Sequence, residues 1–185
     1  ACPAVLGEMQ AEYDRIYGEA TARGFDRIPV PVGRPECPTV EIMAPLVSME
    51  GELTFKGGQG WANDWITNWV SMNCRASWDL DIIRAGAYQP ALLYTCPEPD
   101  IGSRLRISIG DCSVETVLQH AHDPEPLPSP DRVPRQEMYE KVWARLEFPV
   151  MQLPEGLATV TVQARGHSWG CCNGSESGLS PFHCS

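Results

Sequence analysis

Alternation of wet and dry residues through the middle third of the chain is the feature that most limits its fold. Leu80 and Ile82 alternate with Asp79 and Asp81, and Leu105, Ile107 and Ile109 alternate with Arg104, Arg106 and Ser108. A period of two puts one set of side chains in a core and the other in water, as in antiparallel strands with one dry face. Arg84-Ala85-Gly86-Ala87 supplies a turn, Tyr88 to Cys96 a further aromatic and aliphatic run, and Cys96 to Gly102 an acidic loop stiffened by Pro97 and Pro99. The predicted order is strand, turn, strand, loop, strand. Val114, Thr116 and Leu118 continue the alternation, Glu137 to Phe148 and Leu157 to Ala164 read as closing strands, and Val40 to Ile42 and Val47 to Phe55 as short edge strands.

The 185 residues suit one all-β domain with extensions. Residues 1–45 read as an N-terminal helix and connector, 46–165 as the β-sandwich, and 166–185 as a cysteine-rich tail. From Val5 to Gly24, the residues Met9, Tyr13, Ile16, Tyr17 and Ala20 recur at steps of three and four among Glu8, Glu12, Asp14, Arg15 and Glu19. That is an amphipathic helix stopped by Gly24, and its apolar stripe is expected to lie on the sandwich or on a second subunit. Pro29, Pro31, Pro35, Pro38 and Pro45 make the following stretch an extended connector.

The order around Ala85-Gly86-Ala87-Tyr88 and Ile109-Gly110-Asp111 resembles the galactose-binding-like jelly-roll β-sandwich of carbohydrate-binding modules. More broadly, Gly60 to Trp69, Tyr94-Thr95-Cys96-Pro97, Ala121 to Pro124 and Asp131 to Arg135 look like the C-terminal accessory region of secreted arylsulfatases. The resemblance covers roughly Ile28 to Ala164 and leaves out the tail and most cysteines. It does not imply catalysis. No cysteine or serine is followed by Pro two and Arg four residues later, the segment a sulfatase converts into its nucleophile. What the resemblance implies is an accessory domain, and an accessory role carried over from a fold is associational.

A net charge of −10, with no cluster of Lys or Arg, argues against a nucleic-acid partner. No run approaches the roughly 18 apolar residues of a membrane span. The opening Ala1-Cys2-Pro3 lacks the regions of a signal peptide and is read as a processed terminus. Eight cysteines, Cys2, Cys37, Cys74, Cys96, Cys112, Cys171, Cys172 and Cys184, include no Cys-x-x-Cys pair, which favours disulfides and an oxidising, extracellular setting over zinc. Their pairing cannot be read from the sequence. Asn173-Gly174-Ser175 is a glycosylation sequon, consistent with secretion.

Trp61, Trp65 and Trp69 stand four apart, so a helix or a strand would put all three on one side. With Asn63, Asp64 and Asn68 beside them they form a candidate platform for sugar rings, against the alternative that large aromatics fill cores. His120, His122 and Asp123 are the one dense group of metal-ligand types, against the reading that they order a proline-rich loop. Arg132 and Arg135 could clasp an anion such as sulfate, or form a structural ion pair. No cofactor is required by any motif, although Asp79, Asp81, Glu98, Asp100 and Asp111 could furnish oxygens for a structural calcium ion. The expected function is that of a secreted, non-catalytic module binding an extracellular glycan, sulfated or not. The alternatives are a structural subunit that assembles with itself or a partner in a filament, envelope or complex, and a metal-dependent enzyme.

Overall fold

The alternation is realised as two β-sheets with their dry faces turned toward each other. The computed structural model describes residues 3–24, 27–58, 60–128, 133 and 140–166, and the backbone of 178–184. Helix α1 (Pro3–Thr21) is followed by β1 (Val30–Val32), β2 (Val40–Ile42), β3 (Ser48–Glu50), β4 (Thr54–Phe55), β5 (Ile66–Thr67), β6 (Arg75–Ile82), β7 (Gly86–Tyr88) and β8 (Pro90–Thr95). Then come β9 (Arg104–Ile109), β10 (Cys112–Val117), β11 (Ala144–Glu147), β12 (Met151–Leu153), β13 (Gly156–Ala164) and β14 (Gly178–Cys184).

The first sheet runs β1-β6-β13-β9-β10, with β3 also on β6; the second runs β11-β8-β14-β5-β4, with β2 on β14. A small ribbon, β12-β7, accompanies them. Strand β1 lies parallel to β6 at the sheet's edge, the place where Pro31, which donates no ladder hydrogen bond, is tolerated.

Every second residue of β6, from Ala76 through Trp78 and Leu80 to Ile82, is buried, while Arg75, Asp79 and their neighbours of the other parity face outward. Strand β13 lies on β6 with Val160 opposite Trp78 and Val162 opposite Ala76, and its far edge sets the same two valines opposite Ile109 and Ile107 of β9. From the other sheet Ile42, Ile66, Leu92 and Tyr94 meet this layer, with Trp69 and Phe148, in a single buried cluster.

Three expectations about extent are revised. Strands β1 and β2 lie before residue 46, and β14 lies after 165 between β8 and β5, so the sheets draw on segments assigned to the connector and the tail. A continuous ladder needs a partner wherever an edge is free, and the returning tail supplies one. The turn after β6 does not make a hairpin, because β6 and β8 belong to different sheets and Gly86–Tyr88 pairs instead with Met151–Leu153. Helix α1 forms over the expected residues, yet none of its residues is buried, so its stripe does not lie on the sandwich.

The cysteines also depart from expectation. Cys37, Cys74, Cys96 and Cys112 stand as free thiols. Cys2, Cys171 and Cys172 fall outside the described residues, as does the side chain of Cys184. The sandwich is therefore held by its apolar core among the described residues, with no bridge visible there. Cys74 and Cys96 sit in that core as small apolar groups. Burial, followed by the negative charges of Asp100 and Asp123, pushes the Cys96 thiol up to about 12.

Two outcomes follow. Leu80→Ala, at a site with no exposed surface, should cost about 2–5 kcal/mol in urea unfolding, whereas Leu157→Ala, 77% exposed, should stay within about 0.5 kcal/mol. In alkylation at pH 8 read by mass spectrometry, exposed Cys37 should be modified in the folded chain and Cys96 only after unfolding.

Candidate functional site

The loop from Gly57 to Trp65 is built around one carboxylate. Asp64 Oδ1 accepts from the Gly57 and Trp65 amides at 2.9 and 3.0 Å, and Oδ2 from the Gly60 amide at 3.1 Å. The Asp64 amide in turn donates to the Trp61 carbonyl at 2.9 Å, closing a turn. Gly60 is required here twice over: its φ is +67°, and a Cβ would meet the Phe55 ring at 2.7 Å. Asp64 is 2% exposed, so its role is to satisfy the loop's amides, and the expectation that it meets sugar hydroxyls is revised accordingly.

The three indoles do not share a side. Between Trp65 and Trp69 the strand β5 lasts only two residues, and then Asn68 adopts φ +65° while the Val70 amide folds back to its carbonyl at 3.0 Å. That reversal breaks the parity that equal spacing implied. Trp69 enters the central cluster, whereas Trp65, also buried, lies outside that cluster against Trp143, ring centroids 5.4 Å apart at 74°. Trp61 is half-buried in the turn, and the Asn68 side-chain amide donates to the Glu52 carbonyl, so neither extends a common platform.

The Trp65–Trp143 pair walls an open groove of about 420 Å³ on the outer face of the second sheet. It is lined by Leu93 of β8, Glu41 of β2, Met43, Asn63 of the loop, and Glu140, Lys141 and Trp143 of the segment leading into β11. Of the residues expected to bind sugar, the groove gathers Asn63, Asp64 and Trp65 and leaves out Trp61, Asn68 and Trp69.

The residues read as metal ligands support this wall from behind. His122 forms an antiparallel bridge with Cys96, both amide-to-carbonyl distances being 2.8 Å. Its Nε2–H donates to the Val142 carbonyl at 2.6 Å; a carbonyl only accepts, which fixes the proton on Nε2. Asp123 Oδ1 holds Lys141 Nζ at 3.0 Å, with the lysine side chain only 7% exposed. The His120 carbonyl accepts from the Tyr94 hydroxyl, which burial raises above the usual phenol range and so keeps as a donor. These bonds fix residues 141–143 at the groove, and the described residues contain no group of three His, Cys, Asp or Glu fit to hold a metal ion. No three of Asp79, Asp81, Glu98, Asp100 and Asp111 come together in such a group. Arg132, Arg135 and Asn173 lie outside the described residues.

Sequence reasoning missed Trp143, Lys141, Glu140, Leu93 and Glu41. Only Glu41 carried a signal, as the polar residue between Val40 and Ile42, hence on a strand's outer face. A second depression, about 400 Å³ between Arg27, Ile28, Leu46 and Trp78, has apolar walls but no paired indoles.

No family model matches the sequence, and no curated protein is significantly similar to it. Solved structures do resemble the fold. The GH26-CBM35 β-(1,4)-mannanase of Podospora anserina aligns with a TM-score of 0.54 at 10% identity, over 80% of this chain and 27% of that one. The exo-β-1,3-galactanase of Phanerochaete chrysosporium, solved with galactose, gives 0.52 at 10% identity over 80% and 30%. The mosquito-larvicidal Cry4Aa toxin of Bacillus thuringiensis gives 0.51 at 13% identity over 79% and 23%. The chain thus spans a quarter to a third of the length of these proteins, and the likeness is one of fold. It defines a mostly-β sandwich, with one α-helix among the described residues, whose structural neighbours include carbohydrate-binding and glycoside-hydrolase-associated proteins. None of the three is a sulfatase.

Asp64→Asn keeps one acceptor oxygen and turns an NH₂ toward the loop amides, so urea unfolding should show a loss of about 1–3 kcal/mol. Equal stability would mean that the three amides find other partners.

Proposed function

We propose that the protein is a non-catalytic glycan-binding module whose ligand lies in the groove beside Trp143. The observation that carries this reading is the edge-to-face pair Trp65–Trp143, with one indole buried as a buttress and the other half-exposed at an open groove. An indole face offers a broad apolar surface to the C–H face of a pyranose. Asn63, Glu41 and Glu140 line the same groove and offer the planar hydrogen-bonding groups that hydroxyls need. Its volume falls within the roughly 300–1,000 Å³ of small-ligand sites. The fold resemblance to proteins that act on mannan- and galactan-type linkages, by their names, supports the ligand class and does not select a sugar.

Charge narrows the expectation. Glu41, Asp64 and Glu140 line the groove, and Lys141, its one cation among the described residues, is already paired with Asp123. A sulfated chain would bring further negative charge to an acidic wall on a protein of net charge −10. The ligand is therefore proposed to be a neutral glycan, and the sulfated one expected from the sequence is set aside. The extracellular setting belongs to the same proposal and rests on the sequon at Asn173. The uncovered helix α1 favours a second reading, in which the chain also assembles.

Affinity electrophoresis in gels of neutral mannan, galactan and glucan, with a sulfated polysaccharide alongside, tests the site. Retention is expected in at least one neutral gel and not in the sulfated one. Trp143→Ala should weaken it about tenfold or more with little change in thermal midpoint, and Trp61→Ala should leave it in place. Equal retention of Trp143→Ala and the parent chain would remove the groove from consideration.

A further inference from the structure

Helix α1 has no covering surface among the described residues. Val5, Leu6, Met9, Tyr13, Ile16 and Tyr17 are each more than half exposed, from 52% at Val5 to 69% at Leu6. Gly7 and Gly18 interrupt the helix with open space around them, no acidic residue stands in its first turn, and no basic residue in its last. A free 19-residue helix of this kind is marginal in water, since helical stability in proteins comes mainly from packing an amphipathic face. No such packing is present among the described residues, where α1 buries none of its side chains.

The spacing of the stripe suits a partner helix. Leu6, Met9, Tyr13, Ile16 and Ala20 are separated by three, four, three and four residues, the a and d positions of a heptad seam. A seam of that pitch is completed by another helix with the same repeat. Helix α1 is the one α-helix among the described residues, so a second copy of the chain is the source of a seam with the same repeat that the sequence itself offers. The flanking charges allow it: Arg15 holds Glu12 at 2.6 Å and Glu19 at 2.7 Å on its own helix, so the carboxylates beside the seam are tied within each copy. The size also fits. At roughly 100–150 Å² of exposed surface each, the four seam side chains with Val5 and Tyr17 flanking them present on the order of 600–900 Å² per copy, around the ~800 Å² per partner of a standard interface.

We propose that α1 pairs with α1 of a second copy through Leu6, Met9, Tyr13 and Ile16, and that helix formation and dimerisation are one event. The seam is remote in sequence from the groove residues, so the dimer stands or falls apart from the glycan reading. Two grooves in one dimer would raise the apparent affinity for a repeating polymer without any new contact.

The full chain, examined by sedimentation equilibrium across a dilution series, should show a monomer–dimer equilibrium, with ellipticity at 222 nm falling as the dimer dissociates. Met9→Lys with Ile16→Lys should raise the dissociation constant about a hundredfold or more, since it sets unpaired charges in an apolar seam. Both positions are exposed, so the sandwich should keep its urea midpoint, which separates loss of pairing from loss of fold. A parent chain that is monomeric at every concentration, a dimer indifferent to the double substitution, or a helical signal unchanged through dissociation would each overturn the proposal.

Discussion

The pairing of β13 with both β6 and β9 is the constraint on which the rest of the structure rests. It joins β13 to a strand about eighty residues earlier and to another about fifty-five residues earlier, and sets Trp78, Val160 and Ile109 in one buried row and Ala76, Val162 and Ile107 in the next. Within β6 the bulk changes from Trp78 in one row to Ala76 in the next, while β13 and β9 keep valine and isoleucine in both. A slip of one residue in β13 would turn Val160 and Val162 to water and bring Thr159 and Thr161 inward, so the register is held by the same apolar contacts that it creates. The candidate groove lies on the outside of the sheet that this layer supports.

On that outer face the loop from Gly57 to Trp69 is divided between two environments. Asp64 gathers its amides at one end, and the reversal at Asn68 turns Trp69 inward at the other. Trp65 is left on the far side of the sheet, where it would be an exposed apolar surface if Trp143 did not lie against it. The groove is a by-product of that pairing: two indoles and Leu93 give apolar walls, and the strand and loop edges bring Glu41, Asn63 and Glu140 to its rim.

The wall carrying Trp143 gains its rigidity from a distance. His122 and Asp123 come just after β10, and they reach residues nearly twenty positions later through the Val142 carbonyl and the Lys141 ammonium. Lys141 is buried, so its charge is tolerable there only because Asp123 lies at hydrogen-bonding distance. Groups that in isolation look like metal ligands thus act as struts, with their polar atoms engaged by the chain itself.

The sequence by itself determined what depends on neighbours along the chain. The alternation at Ala76–Ile82 and Leu105–Ile109 set those strands and their dry faces, the three-and-four spacing from Leu6 to Ala20 set the helix and its stripe, and the charge balance set the acidic character of the surface. What depends on segments far apart was decided only by tertiary structure. Equal spacing of Trp61, Trp65 and Trp69 could not reveal the reversed backbone at Asn68, and no local pattern marked Trp143 as the partner of Trp65. Nor could composition show that four cysteines stay unbridged, or that backbone from the tail completes the second sheet, because each turns on which distant strands come to lie side by side.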